Sequence, residues 1–240
     1  MNKYPIEIEI SLILPTYREK ESIRQTILEF QKVSQIKEII VVDNNSEPGT
    51  IENIKDLEIR LVSENRQGYG WAIKKGIAEA KYGYITICEP DGTFKPLDIY
   101  KLISYLPESD FVVGTRTNTI FIWSGANMGL FLRWGNWFVA KLTEIIFNTT
   151  YLSDVGCTFR IIERQCALEI INRCKNNKSA FGFEMILEGF KLKKRIIQIP
   201  INYKERIGTS SVTGSKFKAF ILGLNMIKMV FTKRFTKTSS

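Results

Sequence analysis

The chain predicts an α/β fold: a mostly parallel central sheet flanked by helices, closed by a C-terminal amphipathic helix. Three observations carry that reading. Short β-branched apolar runs alternate with stretches of helical period from Ile8 to Val113, the pattern of strand–helix–strand crossovers. The run Glu38 to Val42 is nearly all apolar, as a strand buried on both faces must be. Polar clusters follow the strands, where open α/β sheets bind their ligands.

Ile8 to Leu14, stopped by Pro15-Thr16, is the first strand. Glu19 to Val33 places Ile23, Ile27 and Phe30 at helical spacing. Glu38 to Val42 is the second strand and ends at Asp43. Asn44-Asn45-Ser46-Glu47-Pro48-Gly49 is turn chemistry opening a short helix. Strands follow at Ile59 to Val62, Tyr84 to Cys88 and Phe111 to Val113, separated by helices at Gly68 to Ala80 and Pro96 to Leu106. The second half is less regular. It predicts a long aromatic-rich helix from Met128 to Phe147, a strand at Cys157 to Ile162 and a helix at Glu163 to Cys174. A shorter helix at Phe183 to Lys191, a strand at Arg195 to Ile201 and a terminal helix at Gly214 to Phe231 complete the chain. This half completes the sheet and shapes an acceptor site. The expected organisation is a catalytic domain over 1–213 and a basic helix and tail over 214–240.

At 240 residues the chain can bury the core of one domain. Its net charge of +9 suits an anionic partner such as a nucleotide phosphate, a nucleic acid or an acidic membrane surface. It has no histidine, which excludes histidine metal sites and histidine acid–base chemistry. Cys88, Cys157, Cys166 and Cys174 form no C-x-x-C pair and read as reduced thiols of a cytoplasmic protein. The N-terminus carries Glu7 and Glu9 and no signal-length apolar stretch. Lys218 and Lys228 interrupt the greasiest segment, Phe217 to Phe231, which is shorter than the ~20 residues of a membrane span.

Four polar clusters fall on one edge of the sheet: Pro15-Thr16-Tyr17-Arg18-Glu19, Asp43-Asn44-Asn45-Ser46, Glu89-Pro90-Asp91 and Gly114-Thr115-Arg116. Two carboxylates two residues apart at a strand end repel each other, and a hard divalent cation relieves that cost. Such cations take one or two carboxylates together with substrate phosphates. Asp91 and Glu89 are therefore the candidate metal ligands. Asp43 is placed to accept from a base or ribose, and the Arg116 guanidinium to grip phosphate oxygens. Each has a plainer alternative: Asp43 as the cap of the following turn, Arg116 and Arg133 as surface ion pairs, Asp154 as a backbone cap. Trp123, Trp134 and Trp137 read as packing residues rather than sugar-stacking ones. Gly68 and Gly70 read as close helix–sheet packing.

In their order and spacing these motifs resemble the family 2 glycosyltransferases of the GT-A fold, in the branch like dolichyl-phosphate mannose synthase. Ser11 to Glu19 is similar to the family's opening strand and nucleotide loop. Val41-Val42-Asp43-Asn44-Asn45-Ser46 resembles V-V-D-D-x-S, and Asn65 to Ala72 the glycine-rich helix start. Glu89-Pro90-Asp91 stands where the family has D-x-D, and Gly114-Thr115-Arg116 where it has G-S-R. Asp154 to Arg160 resembles the D-x-x-(small)-G-F-R segment, and Arg206-x-Gly208-x-Ser210 the closing R-x-G-x-S loop. The departures are Asn44 for a second aspartate, Glu89 for the first of D-x-D, and Ser211 where a lysine is common.

The resemblance implies an inverting transferase that uses a GDP- or UDP-linked sugar with Mg²⁺ or Mn²⁺. Donor contacts fall to Pro15, Thr16, Tyr17, Glu19, Asp43, Asn45, Gly68, Glu89, Arg206 and Ser210. Chemistry falls to Asp91, Arg116, Arg133 and Asp154. The acceptor is a polyprenyl phosphate or another glycan acceptor of envelope or glycan biosynthesis. A phosphate acceptor is already anionic; a hydroxyl needs a carboxylate base, with Asp154 or Glu184 as candidates. A sugar nucleotidyltransferase lacks support because its glycine-rich loop is missing after strand one, and no nucleic-acid motif is present. From Arg206 onward there is no acidic residue. Lys216, Lys218, Lys228, Lys233, Arg234 and Lys237 accompany an apolar stripe of Phe217, Phe220, Ile221, Leu224, Ile227 and Phe231. Either that stripe packs on the catalytic domain or the helix lies on an anionic leaflet at the cytoplasmic face of a membrane.

Overall fold

The strands of the computed structural model are β1 (Ile10–Thr16), β2 (Ile36–Asp43), β3 (Arg60–Ser63), β4 (Tyr84–Ile87), β5 (Phe111–Thr115), β6 (Arg160–Glu163) and β7 (Ile196–Pro200). They form one seven-stranded sheet in the order β3-β2-β1-β4-β6-β5-β7. β6 runs antiparallel to both its neighbours, β4 and β5, and the other pairings are parallel. The structure describes residues 8–126, 129–149, 151–208 and 216–236.

Side chains alternate across β1, so Leu12 and Leu14 face one layer and Ile13 the other. The first layer packs the sheet against α1 (Ile23–Phe30), through Ile23, Ile27 and Phe30, and against α3 (Ile99–Ile103), through Ile99 and Leu102. The second layer receives α2 (Tyr69–Glu79), α5 (Arg164–Ile171) and α6 (Phe181–Lys191). Each fully buried Leu, Ile or Phe contributes about 1.5–3 kcal/mol against the cost of ordering the chain. A third cluster lies outside the sheet. There α4 (Leu130–Phe147) and α7 (Lys216–Phe235) close on α6 through Val139, Ala140, Phe183, Leu187, Met226 and Val230.

The expected elements are present, with differences that have local causes. α1 starts at Ile23 because the Glu19 carboxylate accepts from the Tyr17 and Arg18 amides (2.8 and 2.9 Å) and holds that stretch as a loop. After β2 no helix forms, and residues 48–56 run as successive turns. Gly49 takes a left-handed φ of 86° there, and Arg24 donates to the Asn53 carbonyl and pairs with Asp56. The expected helix from Pro96 is a single 3-10 turn followed by the five residues of α3. Met128 and Gly214 lie outside the described residues.

Candidate active site

Glu89 and Asp91 follow β4, Glu19 follows β1, and all three turn their carboxylates onto one guanidinium. Arg206 Nη1 lies 2.9 Å from Asp91 Oδ2 and 3.5 Å from Glu89 Oε2, and Nη2 lies 3.3 Å from Glu19 Oε1. The other Asp91 oxygen accepts from Thr93, from its amide at 3.0 Å and its hydroxyl at 2.6 Å. The other Glu19 oxygen is taken by the Tyr17 and Arg18 amides. The loops lock to each other: Ser22 Oγ donates to the Pro90 carbonyl at 2.7 Å, and the Ile207 amide to the Asp91 carbonyl at 3.0 Å. Burial, with Asp91 beside it, pushes the Glu89 carboxyl up to about 7, against the pull of Arg206. The cluster thus holds more negative charge than one arginine balances.

Arg116 follows β5 and is paired inward. Its Nε and Nη2 donate to the two oxygens of Asp154 at 2.8 and 3.0 Å, and its backbone amide donates to Oδ2 at 3.0 Å. Asp154 is fully buried. Burial raises its pKa, but the charge and hydrogen bonds of Arg116 outweigh that and hold the carboxyl below the usual range. The guanidinium also lies over the Tyr203 ring, 5.2 Å from its centroid. So Arg116 faces the cavity while Asp154 stands behind it. Asp154 does not line the cavity, and both its oxygens are engaged by Arg116 and the Gly156 amide, so the structure gives it a partner-holding place rather than the substrate-facing one expected. Glu184, the other base candidate, is likewise consumed. It accepts from the Lys175 and Asn176 amides (2.9 and 2.7 Å) and pairs with Lys233 at 2.5 Å.

Asp43 ends β2 and accepts from the Ser46 amide at 2.8 Å, the turn-capping role that sequence offered as its alternative. The cavity is lined by its neighbour Asn44 and not by Asp43 or Asn45. Asn44 is buried. Its amide donates to the Glu64 and Arg66 carbonyls (2.7 and 2.9 Å), and its oxygen accepts from Gly68 N at 2.8 Å and Gln67 Nε2 at 3.3 Å. An aspartate there would place a carboxylate against two carbonyls, so the departure from V-V-D-D suits its partners. Asn45 adopts a left-handed φ of 59° and ties down Asn65 and Gln67. Gly68 (φ 150°) and Gly70 let the start of α2 approach the Asn177 backbone, where a Cβ at either would collide. The packing is close, as expected of them, but it is of the helix start against the loop before α6 and not against the sheet.

One cavity of about 1100 Å³ joins these parts. Pro15, Thr16, Tyr17, Glu19, Asn44, Gln67, Gly68, Glu89, Asp91, Arg116 and Arg206 line its polar end. Its other end lies between α4 and α7, against Phe131, Trp134, Phe138, Phe220, Leu224 and Ile227. Arg133 is half-buried on α4 and does not line the cavity. Trp123, Trp134 and Trp137 are exposed rather than packed in the core, and of these Trp134 borders the cavity. Ser210 lies outside the described residues. Sequence reasoning placed Asn44 in the right cluster but assigned the donor contacts to Asp43 and Asn45, and it missed Gln67, Tyr203 and the α4–α7 trough. The density of aromatics from Leu130 to Phe138 was the available signal for the trough.

Known proteins resemble this chain at the level of family and of fold. A family model described as glycosyl transferase family 2 matches residues 11–167. The chain belongs to glycosyl transferase family 2. Uncharacterized glycosyltransferases of Mycobacterium bovis and Mycobacterium tuberculosis are 23% identical to this glycosyltransferase over 230 residues, 92% of this chain and 97% of theirs. A dolichol-phosphate mannosyltransferase of Saccharomyces cerevisiae is 31% identical over 122 residues, 46% of each chain. Among solved structures, the glucosyl-3-phosphoglycerate synthase of M. tuberculosis in complex with Mn²⁺, UDP and phosphoglyceric acid matches with a TM-score of 0.73 at 16% identity, over 96% of this chain and 80% of that one. This family 2 glycosyltransferase therefore has the GT-A architecture.

Proposed function

We propose that this family 2 glycosyltransferase moves a sugar, with inversion, from a nucleotide-diphosphate donor to a polyprenyl phosphate, working peripherally on the cytoplasmic face of an anionic membrane. The observation that carries the reading is the two-ended cavity. Its polar end suits a nucleoside diphosphate and a sugar. The apolar trough between α4 and α7 serves no part of such a donor and suits a hydrocarbon tail.

The residues fit a divalent cation. Asp91 and Glu89 are hard oxygen donors in a cluster of three carboxylates around one guanidinium, and burial, with Asp91 beside it, pushes the Glu89 carboxyl up to about 7. Among the described residues no three or more His, Cys, Asp or Glu side chains form a self-sufficient metal cage, which matches Mg²⁺ or Mn²⁺ held by one or two carboxylates plus substrate phosphates. When bound, the cation supplies positive charge for the leaving diphosphate. Asp91 and Glu89 would hold it, and Arg206 adds charge at the same end.

A hydroxyl acceptor needs a base, and both candidates, Asp154 and Glu184, are buried in ion pairs. A phosphate monoester brings its own anionic oxygen. That oxygen bonds to the anomeric carbon as the bond from that carbon to the diphosphate oxygen breaks, and the electron pair leaves with the nucleotide. Arg116, held in place by Asp154, orients the acceptor phosphate. Incubation with labelled GDP- and UDP-sugars and Mn²⁺, offering either a polyprenyl phosphate or 3-phosphoglycerate, tests the reading. Label moving into the organic phase with the lipid is the expected result. Label moving only to the water-soluble acid would overturn it.

A further inference from the structure

We infer that Arg206 is an exchangeable counter-cation that holds the acidic cluster closed until a divalent cation displaces it. The inference rests on the metal reading above. Asp91 has one oxygen committed to Thr93. The oxygen left for a metal, Oδ2, is the one that Arg206 Nη1 occupies at 2.9 Å. The same guanidinium takes the remaining oxygen of Glu19 at 3.3 Å and approaches Glu89 at 3.5 Å. A divalent cation on Asp91 would therefore meet a positive charge on the same atom, and the two repel at that range.

The Arg206 guanidinium also leaves one donor unmet. Its Nε is buried and has no hydrogen-bond partner among the described residues. A buried donor left unmet favours any alternative in which it is satisfied. A diphosphate beside the cluster offers acceptor oxygens for Nε and the terminal nitrogens together, the geometry guanidinium groups favour. The Ile207 amide on the Asp91 carbonyl anchors the backbone next to Arg206, so the exchange is a swing of one side chain. Before metal, the arginine neutralises carboxylates that would otherwise repel each other. After metal, the same charge is delivered to the leaving group. Metal and arginine are coupled through one oxygen, and by linkage each weakens the other there.

The test is Mn²⁺ binding with no nucleotide present, read by electron paramagnetic resonance of the free ion and by calorimetry, on wild type, Arg206→Gln and Arg206→Lys. The glutamine protein is expected to bind Mn²⁺ tighter by about tenfold, and its melting temperature to rise more on adding Mn²⁺ than that of wild type. The lysine protein should fall between the two. Equal or weaker Mn²⁺ binding by the glutamine protein overturns the exchange. If that variant does not fold, the lysine variant decides in the same way. A wild-type protein that ignores Mn²⁺ even with UDP or GDP present removes the metal reading itself. Wild-type binding with no gain on substitution removes only the exchange.

Discussion

Asp91 and Asp154 are both buried carboxylates near the same cavity, and their partners give them opposite roles. Asp91 keeps one oxygen toward the cavity through Arg206, and Thr93 holds the other. Asp91→Asn keeps the shape and an oxygen for Thr93 but loses the charge. It is expected to abolish transfer while the circular dichroism and unfolding midpoint stay near wild type. Full activity in metal-replete buffer would count against the assignment. Asp154 gives both oxygens to Arg116. Removing its charge leaves a buried guanidinium uncompensated, so Asp154→Asn should cost ~3–5 kcal/mol at pH 7. The sign of the pH dependence follows from the depressed pKa. The stabilisation is fully present above the unfolded value of about 3.9 and is lost as pH falls through the lower folded value. Urea midpoints of the two proteins should therefore differ most near neutrality and converge in acid.

At the scale of elements, the terminal helix is tied down by a charge that its sequence suggests is free. Lys233 of α7 reaches two buried carboxylates of α6, Glu184 and Glu188, at 2.5 Å each. Burial lowers its pKa, and the two partners more than offset that, so the ammonium is held above its ordinary range. Glu184 in turn caps the 175–176 amides, and the next residue, Asn177, accepts from the Gly70 amide of α2. α7 is thus linked to the donor end of the cavity by a chain of contacts. Lys233→Met should destabilise by ~3–5 kcal/mol, the cost of stranding a buried charge. Replacing Glu188 with Gln in the same protein should recover part of it, as denaturant unfolding would show. If the lysine substitution is neutral, the pair is not holding the helix.

Across the whole molecule, the packed face of α7 shares only Ile227 with the stripe that its spacing marks out. Met226 and Val230 enter the core, while Phe217, Phe220, Ile221, Leu224 and Phe231 stay exposed. Of these, Phe220 and Leu224 line the apolar end of the cavity together with Leu130, Phe131, Trp134 and Phe138 of α4, which are also exposed. Lys218, Lys228 and Arg234 are exposed on the same helix. No helix among the described residues is long and apolar enough to cross a membrane. The expected behaviour is co-flotation with anionic vesicles at low salt, released by high salt, since each basic residue near the surface adds ~1 kcal/mol. Trp134→Ser with Phe220→Ser should weaken flotation. Vesicle binding that ignores both salt and the double substitution would rule out this face.

The sequence by itself determined the sheet, the helices that cover it and the edge where polar loops gather. Those follow from periodicity and from turn residues, which act over a few neighbours. It also placed Glu89 and Asp91 together, because two positions at one strand end stay close in any tertiary arrangement. Partnerships between distant positions were beyond it. That Asp154 belongs to Arg116, Glu184 to Lys233 and three carboxylates to Arg206 depends on separations of 38 to 187 residues along the chain, which only the folded chain closes. The direction of β6 and the trough between α4 and α7 are of the same kind. A carboxylate's role is set by which cation reaches it, and that choice is made by packing.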